Sequence, residues 1–439
     1  MTSGLADLLN ISDISNLELR KMAYESGFMK RRCKKIDAPY FLANLCLSSL
    51  EGSPSYNDLA AHFHAQYNIS ASKQAFWKRV DSSCVTFLQS VLAHIINQKI
   101  NRADIKAIKA CTQYKRVIVQ DSTIIKLPLR LFDIFSGVSN AHTAVCNARI
   151  QGVYELLSGH FLSFSIDPYS KNDLSAAPEL KILKGDLVLR DRGYSCNDEI
   201  RRHIKSGADC IFRHKFLSTY IDPYSGKNIN LISLLTEHEK LDIEVCLNDK
   251  KRTKVRLLAM PVSAEIASLR RMKAKKEIRG HNPSPELLFL MSWTIFITTI
   301  PQLSADFQKI LLFYKLRWRI EIIFKIFKSH MSFSKVHNVS IIQLKILLTA
   351  RFIMIVTCTH FIYQPCNAII VNTYNRHLSL IKFIHYLMKN TSQLINILNH
   401  CFDIQNYIKP YLDPIVRYCS YDKRKRQNFN QLVNDLFLS

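Results

Sequence analysis

The N-terminal part of the chain carries apolar residues at three- and four-residue steps, which is the spacing of amphipathic helices. The segments with this pattern are LADLLNIS (5–12), APYFLANLCLSSL (38–50) and CVTFLQSVLAHIINQ (84–98). The pattern predicts a helical domain, which we place at residues 1–108.

A candidate helix-turn-helix lies between the last two of these segments. SYNDLAAHFHAQ (55–66) is its first predicted helix, with Ser55 as N-cap, and ASKQAFWKRV (71–80) is its second. The second helix would present Lys73 and Arg79 to a DNA groove, and a basic run at residues 30–35 favours such a contact. An ordinary helical hairpin without DNA contact is the alternative that the pattern leaves open.

From about residue 112 the pattern changes to short buried or alternating runs, which are typical of strands. The predicted strands are RVIVQ (116–120), a hairpin over 148–166 with its turn at Ser158-Gly159, LVLR (187–190) and ADCIFRH (208–214). Helices are predicted at 173–184, as a crossover, and at 197–207. Strands and helices in this order predict an α/β domain with a mixed sheet.

The rest of the chain divides into three parts. Residues 214–285 are polar, basic and rich in short strands, so we interpret them as an insertion into an α/β domain that covers 109–213 and 286–334. The second half of that domain holds a strong strand, MSWTIFITTIP (291–301), and a long helical region at 302–331. Residues 335–439 are predicted to be a helical C-terminal region.

The most apolar stretch of the chain is residues 341–363, and it raises the question of a membrane span. Lys345 and Arg351 interrupt it, and central charges are costly in a bilayer. The sequence therefore predicts a buried helix and no membrane partner.

The charge balance is the first indication of function. The chain has 60 Lys and Arg against 35 Asp and Glu, a formal net charge of +25. Such an excess attracts a polyanion, and neutralised phosphates release counterions, so salt-dependent binding to nucleic acid is expected. The alternative interpretation of this charge is a basic surface without a specific partner.

The cysteines indicate a reducing compartment. Twelve cysteines are scattered without a CxxC pair, and residues 1–20 carry Asp7, Asp13 and Glu18 where a secretory signal would be apolar. We therefore expect reduced thiols and a cytoplasmic protein.

Two acidic residues, Asp121 and Asp191, directly follow predicted strands. Strand ends in open α/β sheets collect catalytic groups, because the sheet fixes them and the loops leave them accessible. A strand-end Asp is also common as a cap of the next turn, so neither residue is decisive alone.

A helical stripe adds a third carboxylate. Tyr314, Arg317, Glu321 and Lys328 stand at offsets of 0, 3, 7 and 14 residues. At about 100° per residue they fall near 0°, −60°, −20° and −40°, on one narrow face. A carboxylate among a phenol, a guanidinium and an ammonium suits phosphate chemistry. Surface Glu-Arg and Glu-Lys pairs are the alternative.

The spacing Tyr-(2)-Arg-(3)-Glu-(6)-Lys resembles the signature of the DDE insertion-sequence transposases of the insertion-sequence-four group. QDSTIIKLP around Asp121 and LRDRGY around Asp191 resemble the two Asp motifs of that group. MSWTIFITTIP resembles the strand before its third motif. The order of the motifs agrees, and the resemblance covers about residues 112–330.

The resemblance implies a ribonuclease-H-like mixed sheet with a β-rich insertion, flanked by helical N- and C-terminal domains. It implies that Asp121, Asp191 and Glu321 are the catalytic carboxylates and bind a divalent metal, Mg²⁺ with Mn²⁺ as a substitute. Metal held by carboxylates activates a nucleophilic oxygen and stabilises the leaving oxygen in phosphodiester cleavage. One centre can use water first and a DNA 3′-hydroxyl later, so cutting and joining are one chemistry.

The resemblance also implies roles for neighbouring residues. Tyr314, Arg317 and Lys328 would contact phosphates of the transposon end, and Trp293 and Trp318 would stack on an extruded base. Arg213 is a weaker candidate for a DNA contact. For Trp293, a place in the core at the start of a strand is the alternative.

The function that follows is a DNA transposase that cleaves transposon ends and joins them to target DNA, by cut and paste. Its partners would be double-stranded DNA, as terminal inverted repeats and target, and a second copy of the chain, because joining two ends requires synapsis. Two alternatives stay open. One is an inactive or domesticated DNA-binding regulator, and the other is a structure-specific nuclease that cuts without joining.

Overall fold

The computed structural model describes residues 14–31, 35–97, 113–137, 144–277, 282–390 and 411–422. These residues form two compact units. Unit 1 contains the described residues of 14–97, 122–171 and 319–422, and unit 2 contains those of 113–121 and 172–318. The predicted helix at 5–12 and part of the basic run at 30–35 lie outside the described residues, and the five-part domain division stays a prediction.

Unit 1 begins with five helices, of which all but the first lie on segments that the sequence pattern predicts as helices. They are α1 (Asn16–Glu25), α2 (Ala38–Glu51), α3 (Tyr56–Tyr67), α4 (Lys73–Trp77) and α5 (Ser82–Asn97). The predicted N-cap is confirmed, because the Ser55 side chain accepts a hydrogen bond from the Asp58 amide and the Asp58 carboxylate accepts one from the Ser55 amide. The second helix of the pair is shorter than predicted and ends at Trp77. Asp81 accepts a hydrogen bond from the Cys84 amide at the start of α5, so the chain has left the helical path by that point.

Nine strands form one mixed sheet. The strands are β1 (Arg116–Lys126), β2 (Asn147–Glu155), β3 (His160–Pro168), β4 (Asp186–Arg190), β5 (Asp209–Arg213), β6 (Tyr220–Ile221), β7 (Leu241–Leu247), β8 (Lys254–Pro261) and β9 (Trp293–Thr298). Their order is β3-β2-β1-β4-β5-β9-β8-β7-β6. The predicted α/β class with a mixed sheet is thereby confirmed.

Parallel pairing in unit 2 joins β1, β4 and β5. Arg116–Gln120 of β1 lie opposite Asp186–Arg190 of β4, and Leu187–Leu189 of β4 lie opposite Asp209–Ile211 of β5. The middle residues of these strands are apolar and fully buried, which is what a sheet covered on both faces requires. The carboxyl ends of the three strands therefore point to one edge of the sheet.

Residues 214–285, which the sequence predicts to be an insertion, contribute β6, β7 and β8 to the same sheet. β9 is antiparallel to β5 and to β8, and β8 pairs with β7 and β7 with β6. α9 (Leu231–Glu237) and α10 (Ala264–Glu277) lie in the same stretch of chain, and α11 (Pro285–Leu290) follows it. The core of unit 2 runs continuously from Tyr194 and Phe212 to Val245 and Leu257, so β7 and β8 share its hydrophobic core.

The β2–β3 hairpin of unit 1 has its predicted turn, with Gly159 at a φ of 70°. Gly152 in β2 allows a close approach, since a Cβ there would lie 2.8 Å from the ring of Phe324. Phe324 belongs to α13 (Trp318–His330), which buries Ile320, Ile323, Phe324, Ile326 and Phe327. The hairpin and the apolar side of α13 therefore pack closely within unit 1.

Three further predicted elements differ from the structure. The crossover helix shrinks to α7 (Asp173–Ala176) and a 3-10 turn at Ala177–Glu179, because Pro178 lacks an amide hydrogen and cannot continue an α-helix. The first strand does not end before Asp121 but continues to Lys126. The predicted single helix that carries the stripe is two helices, α12 (Phe307–Leu316) and α13, with Arg317 as the junction residue.

The remaining elements are α6 (Phe132–Phe135), α8 (Asn197–Ser206), α14 (Ile341–Val356), α15 (Gln364–Tyr374), α16 (Leu380–Lys389) and α17 (Leu412–Cys419). A π-helical segment, Thr357–Tyr363, connects α14 to α15. The helical stretch Ile341–Tyr374 has the length and composition of a membrane span, yet 78% of its most apolar window is buried within the protein. The predicted buried helix is thereby confirmed.

Arg351 explains how a charge is accommodated in that helix. Its guanidinium is fully buried and donates hydrogen bonds to the carbonyl oxygens of Ser49, Gly52, Phe333 and Lys335. Burial lowers the pKa of Arg351 to about 9. The carbonyl partners offset part of the desolvation cost, and they connect α14 with the end of α2 and the segment after α13.

Candidate active site

Asp121 and Asp191 lie side by side in unit 2. Gln120 and Arg190 are the last paired residues of the parallel β1–β4 ladder, so the next residue on each strand is one of the two aspartates. Paired residues of neighbouring strands stand about 5 Å apart and point to the same face. Asp191 keeps extended backbone angles of −72° and 163°, which continues the strand geometry by one residue. Both carboxylates are only partly buried and remain accessible to solvent.

Arg317 places a positive charge beside Asp121. Its Nη1 is 3.9 Å from Asp121 Oδ2, and the two side chains are 7% and 15% exposed. The guanidinium also lies over the ring of Tyr314 at 5.4 Å and over that of Trp318 at 5.9 Å. These contacts hold the planar guanidinium next to the carboxylate, where it can offer donors to a phosphate.

Tyr314 contacts Asp191, as Arg317 contacts Asp121. The Tyr314 hydroxyl donates a hydrogen bond of 3.3 Å to Asp191 Oδ1, and the residue is 5% exposed. Burial raises the pKa of Tyr314 far above its ordinary value. The charge of Arg317 lowers this pKa, but by less than burial raises it. The phenol therefore stays neutral near neutral pH and remains a hydrogen-bond donor.

Arg213 belongs to the same cluster. It is the last residue of β5, whose carboxyl end lies at the same sheet edge as that of β4, and it is partly buried. Its charge acts on Tyr314, since it helps to lower the pKa that burial raises. Unit 2 thus brings together Asp121, Asp191, Tyr314, Arg317 and Arg213 from the predicted site residues.

The two tryptophans occupy different environments in unit 2. Trp293 is the first residue of β9 and is partly buried, whereas Trp318 at the start of α13 is 57% exposed. Much of the Trp318 side chain is therefore in solvent, although the Arg317 guanidinium lies over its ring. Base stacking stays a prediction for both residues.

Glu321 and Lys328 lie on α13 in unit 1. Glu321 is in the first turn of this helix and is partly buried. Lys328 Nζ donates a hydrogen bond of 2.7 Å to the carbonyl oxygen of Ile124, and burial lowers the pKa of Lys328. The Lys328 ammonium is thus positioned by the end of β1 and is not a freely moving surface charge.

The donor set near Asp121 and Asp191 has the chemistry of a site for a hard divalent cation, because it offers carboxylate oxygens. Within the described residues, no three His, Cys, Asp or Glu side chains are grouped so as to hold one ion together. The two aspartates are the part of the predicted donor set that the register of β1 and β4 brings together, and metal binding by them stays a prediction.

A buried ion network that the sequence pattern did not reveal fixes the end of β4. Arg190 is fully buried, and it donates to Glu199 Oε2 at 2.7 Å and to the Ala177 carbonyl at 3.1 Å. Arg202 donates to the same carboxylate and to the carbonyls of Ala177 and Leu180. Burial alone would raise the pKa of Glu199, but hydrogen bonds from Arg202 and Arg190 hold it below its ordinary value. The sequence signal for this network was Arg190, the charged residue that ends the otherwise apolar run LVLR.

In the predicted helix-turn-helix, Lys73 is exposed on α4, while Arg79 is partly buried and donates to the Ala75 carbonyl at 2.9 Å. Lys73 is thus the more accessible of the two. DNA contact by either residue stays a prediction.

A comparison of the chain with known protein families identifies the class of protein. The Transposase DDE domain matches residues 113–357, which is more than half of the 439 residues. The chain belongs to this family, and it is a DNA transposase, an enzyme that cleaves DNA and transfers strands. Members of the family use divalent metal ions.

Individual relatives are insertion-sequence transposases. The chain is 26% identical over 423 residues to the transposase for insertion sequence element IS231B of Bacillus thuringiensis subsp. berliner, covering 88% of this chain and 87% of the relative. It is 25% identical over 441 residues to the transposase for insertion sequence element IS1151 of Clostridium perfringens, covering 94% and 93%. These relatives favour the predicted transposase over the predicted DNA-binding regulator.

Among solved structures, the chain is similar to the piggyBac transposase in a cryo-EM structure of its synaptic complex with hairpin DNA. The TM-score is 0.44 at 8% sequence identity, and the match covers 98% of this chain and 88% of that chain.

Proposed function

We propose that the chain is a transposase of the insertion-sequence-four group in which Asp121, Asp191 and Glu321 form the catalytic carboxylate triad. The observation that carries the proposal is the register of β1 and β4, which leads to adjacent aspartates at the same sheet edge. The Tyr-Arg-Glu-Lys spacing at 314–328 supports the assignment of Glu321 and of the group.

We further propose a ribonuclease-H-like architecture for the catalytic domain. The order β3-β2-β1-β4-β5, with β2 antiparallel to β3 and with β1, β4 and β5 parallel, supports it. Helical domains on both sides and the β-rich insertion at 214–285 complete the proposed layout.

Asp121 and Asp191 would hold Mg²⁺, with Mn²⁺ as a substitute, and Glu321 would complete the donor set. When bound, the cation supplies positive charge to the attacking and leaving oxygens of the phosphodiester. The Tyr314 hydroxyl orients Asp191 through its hydrogen bond, which limits rotation of that carboxylate. Arg317, held between Asp121 and two aromatic rings, is placed to bind a phosphate oxygen of the DNA strand.

Cutting and joining follow from the same arrangement. Water would attack the phosphodiester first, and cleavage of its P–O3′ bond would free a 3′-hydroxyl and leave a 5′-phosphate. The 3′-hydroxyl would then attack a target phosphodiester, whose own 3′-oxygen would leave as the new bond forms. Tyr314, Arg317, Lys328 and Arg213 would hold the backbone of the transposon end, with Trp293 and Trp318 stacking on an extruded base. Lys73 and Arg79 would bind the terminal inverted repeat, in a homodimer that brings two ends together in the cytoplasm, at the nucleoid.

Carboxamide variants test the triad. Asp121→Asn, Asp191→Asn and Glu321→Gln keep the side-chain shape and remove the metal-binding charge, so each should reduce Mg²⁺-dependent cleavage at least about a thousandfold, on the order of 4 kcal/mol of barrier. The assay uses duplex DNA that carries the sequences flanking the coding region. DNA binding in EDTA should change little.

Glu237→Gln is the matched control, because Glu237 is exposed at the end of α9. Normal cleavage by the Glu321→Gln protein would remove Glu321 from the triad. A pre-cut duplex tests joining separately: strand transfer from it supports transposition, whereas cleavage without transfer would indicate a structure-specific nuclease.

A further inference from the structure

Helix α10 leaves most of its circumference in solvent. Ala267, Arg270 and Ala274 recur on one side and are its only buried or partly buried residues. Ile266, Leu269 and Met272 are 46%, 61% and 51% exposed, which is unusual for large apolar side chains. So narrow a buried stripe, made of two alanines and one arginine, leaves a broad outward surface available to a partner.

The outward surface is strongly basic. α10 carries Arg270, Arg271, Lys273, Lys275 and Lys276 against Glu265 and Glu277. Lys273 pairs with Glu277 at 3.6 Å, and Arg271 donates to Leu288 O and Ser292 Oγ. Lys275 and Lys276 are exposed, and no hydrogen bond or ion pair to another described residue is found for them. Two ammonium groups are therefore available to an anionic partner.

Arg270 fixes α10 at the edge of the sheet where the aspartates lie. Its guanidinium donates to the Trp293 carbonyl at 2.9 Å and to Thr294 Oγ1 at 3.1 Å. Burial lowers the pKa of Arg270, and the charge of Arg213 lowers it further, so the two guanidinium groups are neighbours.

The strand register also places α10 at the edge of the sheet where the aspartates lie. β9 runs antiparallel to β5 with Phe296 opposite Arg213, so the start of β9 meets the carboxyl end of β5. That end lies at the same edge as the carboxyl end of β4, which leads into Asp191. α10 is therefore anchored on the catalytic edge of unit 2.

We propose that the α10 face, defined as Leu269, Met272, Lys275 and Lys276, binds duplex DNA beside the cleavage site. The two lysines contact phosphates, and the two apolar side chains pack on the sugar surface of a groove. The proposal rests on the DNA-cleaving activity of the family. A second copy of the chain is the weaker occupant, because a two-fold contact through this face would set its lysines against each other.

The test is the salt dependence of binding to a labelled 40-base-pair duplex of random sequence, measured on the full chain in EDTA. Lys275→Ala combined with Lys276→Ala should weaken binding several-fold. The slope of log K against log salt should become shallower by about 2, because each phosphate contact contributes roughly 0.9. Both lysines are exposed, so the variant should fold, and circular dichroism checks this.

Lys250→Ala combined with Lys251→Ala is the matched control. It removes the same charge from exposed lysines in the β7–β8 turn. β8 pairs antiparallel with β9, with Arg256 opposite Thr298, so this turn lies at the opposite end of the strands from Trp293. The control should keep the wild-type slope.

An equal salt slope for the α10 variant and the wild type would overturn the proposal. An equal loss of DNA-binding affinity in the α10 variant and in the control would also overturn it. A second variant, Leu269→Gln with Met272→Gln, is followed by light scattering. Conversion of a dimer to a monomer with an unchanged slope would identify the face as a protein interface and also overturn the proposal. If the wild-type chain does not bind the duplex, the DNA-directed function fails together with this inference.

Discussion

Tyr314 and Arg317 each hold one of two adjacent aspartates, by different means. The phenol donates a neutral hydrogen bond to Asp191, and the guanidinium supplies a charge next to Asp121. A carboxylate that accepts a directed hydrogen bond loses rotational freedom before its ligand arrives. Pre-ordering of this kind lowers the cost of assembling the site.

Tyr314→Phe removes the donor and keeps the ring that packs below Arg317. We expect cleavage to slow by roughly tenfold, equivalent to about 1.4 kcal/mol of barrier, and the Mg²⁺ concentration for half-maximal rate to rise. The measurement is the single-turnover cleavage rate against Mg²⁺ concentration. Tyr224→Phe is the control, since Tyr224 is 92% exposed in the same unit. A tenfold loss in both variants would contradict a specific role for Tyr314.

At the scale of elements, the end of β4 is fixed by α8 and by the turn after α7. Glu199 of α8 accepts hydrogen bonds from Arg190 of β4 and from Arg202. Arg190 and Arg202 share the Ala177 carbonyl as a further acceptor. Three elements of unit 2 thereby meet at the residue that precedes Asp191, which sets the position at which the strand ends.

Glu199→Gln leaves Arg190 buried without its counter-charge, so we expect unfolding to become easier by about 3–5 kcal/mol. Glu244→Gln makes the same chemical change in an exposed pair, where Glu244 and Lys254 are 50% and 66% exposed, and should cost at most about 1 kcal/mol. Urea unfolding of both variants gives the comparison. Equal costs would show that the network does not stabilise the fold.

At the scale of the whole molecule, charge is the dominant property. A net charge of +25 produces self-repulsion in the folded chain, and bound DNA relieves it. Acidification adds protons, and a titratable group that is buried in its neutral form resists taking one up. His203 in unit 2 is such a group, because it is fully buried; its Nδ1 lies 2.6 Å from the Glu199 carbonyl oxygen.

Acid should destabilise unit 2 through His203. Burial, with a contribution from the charge of Arg190, lowers the pKa of His203 to about 4. Above the unfolded value of about 6.5 both states are neutral; between about 6.5 and 4 only the unfolded state gains the proton. Stability is therefore complete above about pH 6.5 and falls by up to about 3 kcal/mol towards pH 4. The free energy of unfolding, measured with urea at several pH values, should depend less on pH in His203→Leu than in the wild type. A wild-type slope in that variant would contradict the assignment.

Local pattern determined much of this fold. Apolar spacing predicted α2, α3, α4 and α5, alternation predicted the β2–β3 hairpin, and the segments 291–301 and 341–363 predicted β9 and the buried helix. These predictions succeed because each element buries one face, and the spacing of apolar residues within the element shows that face. The predicted crossover helix failed because one proline, Pro178, outweighed the apolar pattern around it.

For the site, the sequence by itself determined the residue types, their order and the family resemblance that joined them. Only the tertiary structure decided that β4 pairs with β1 in the register that sets Asp191 beside Asp121, that Tyr314 donates to Asp191, and that Arg190 and Glu199 fix the strand end. The Arg317 junction and the place of α10 at the sheet edge that leads to the two aspartates were decided in the same way. The reason is physical: strand register and buried ion pairs join residues far apart in the chain, and no local period records them.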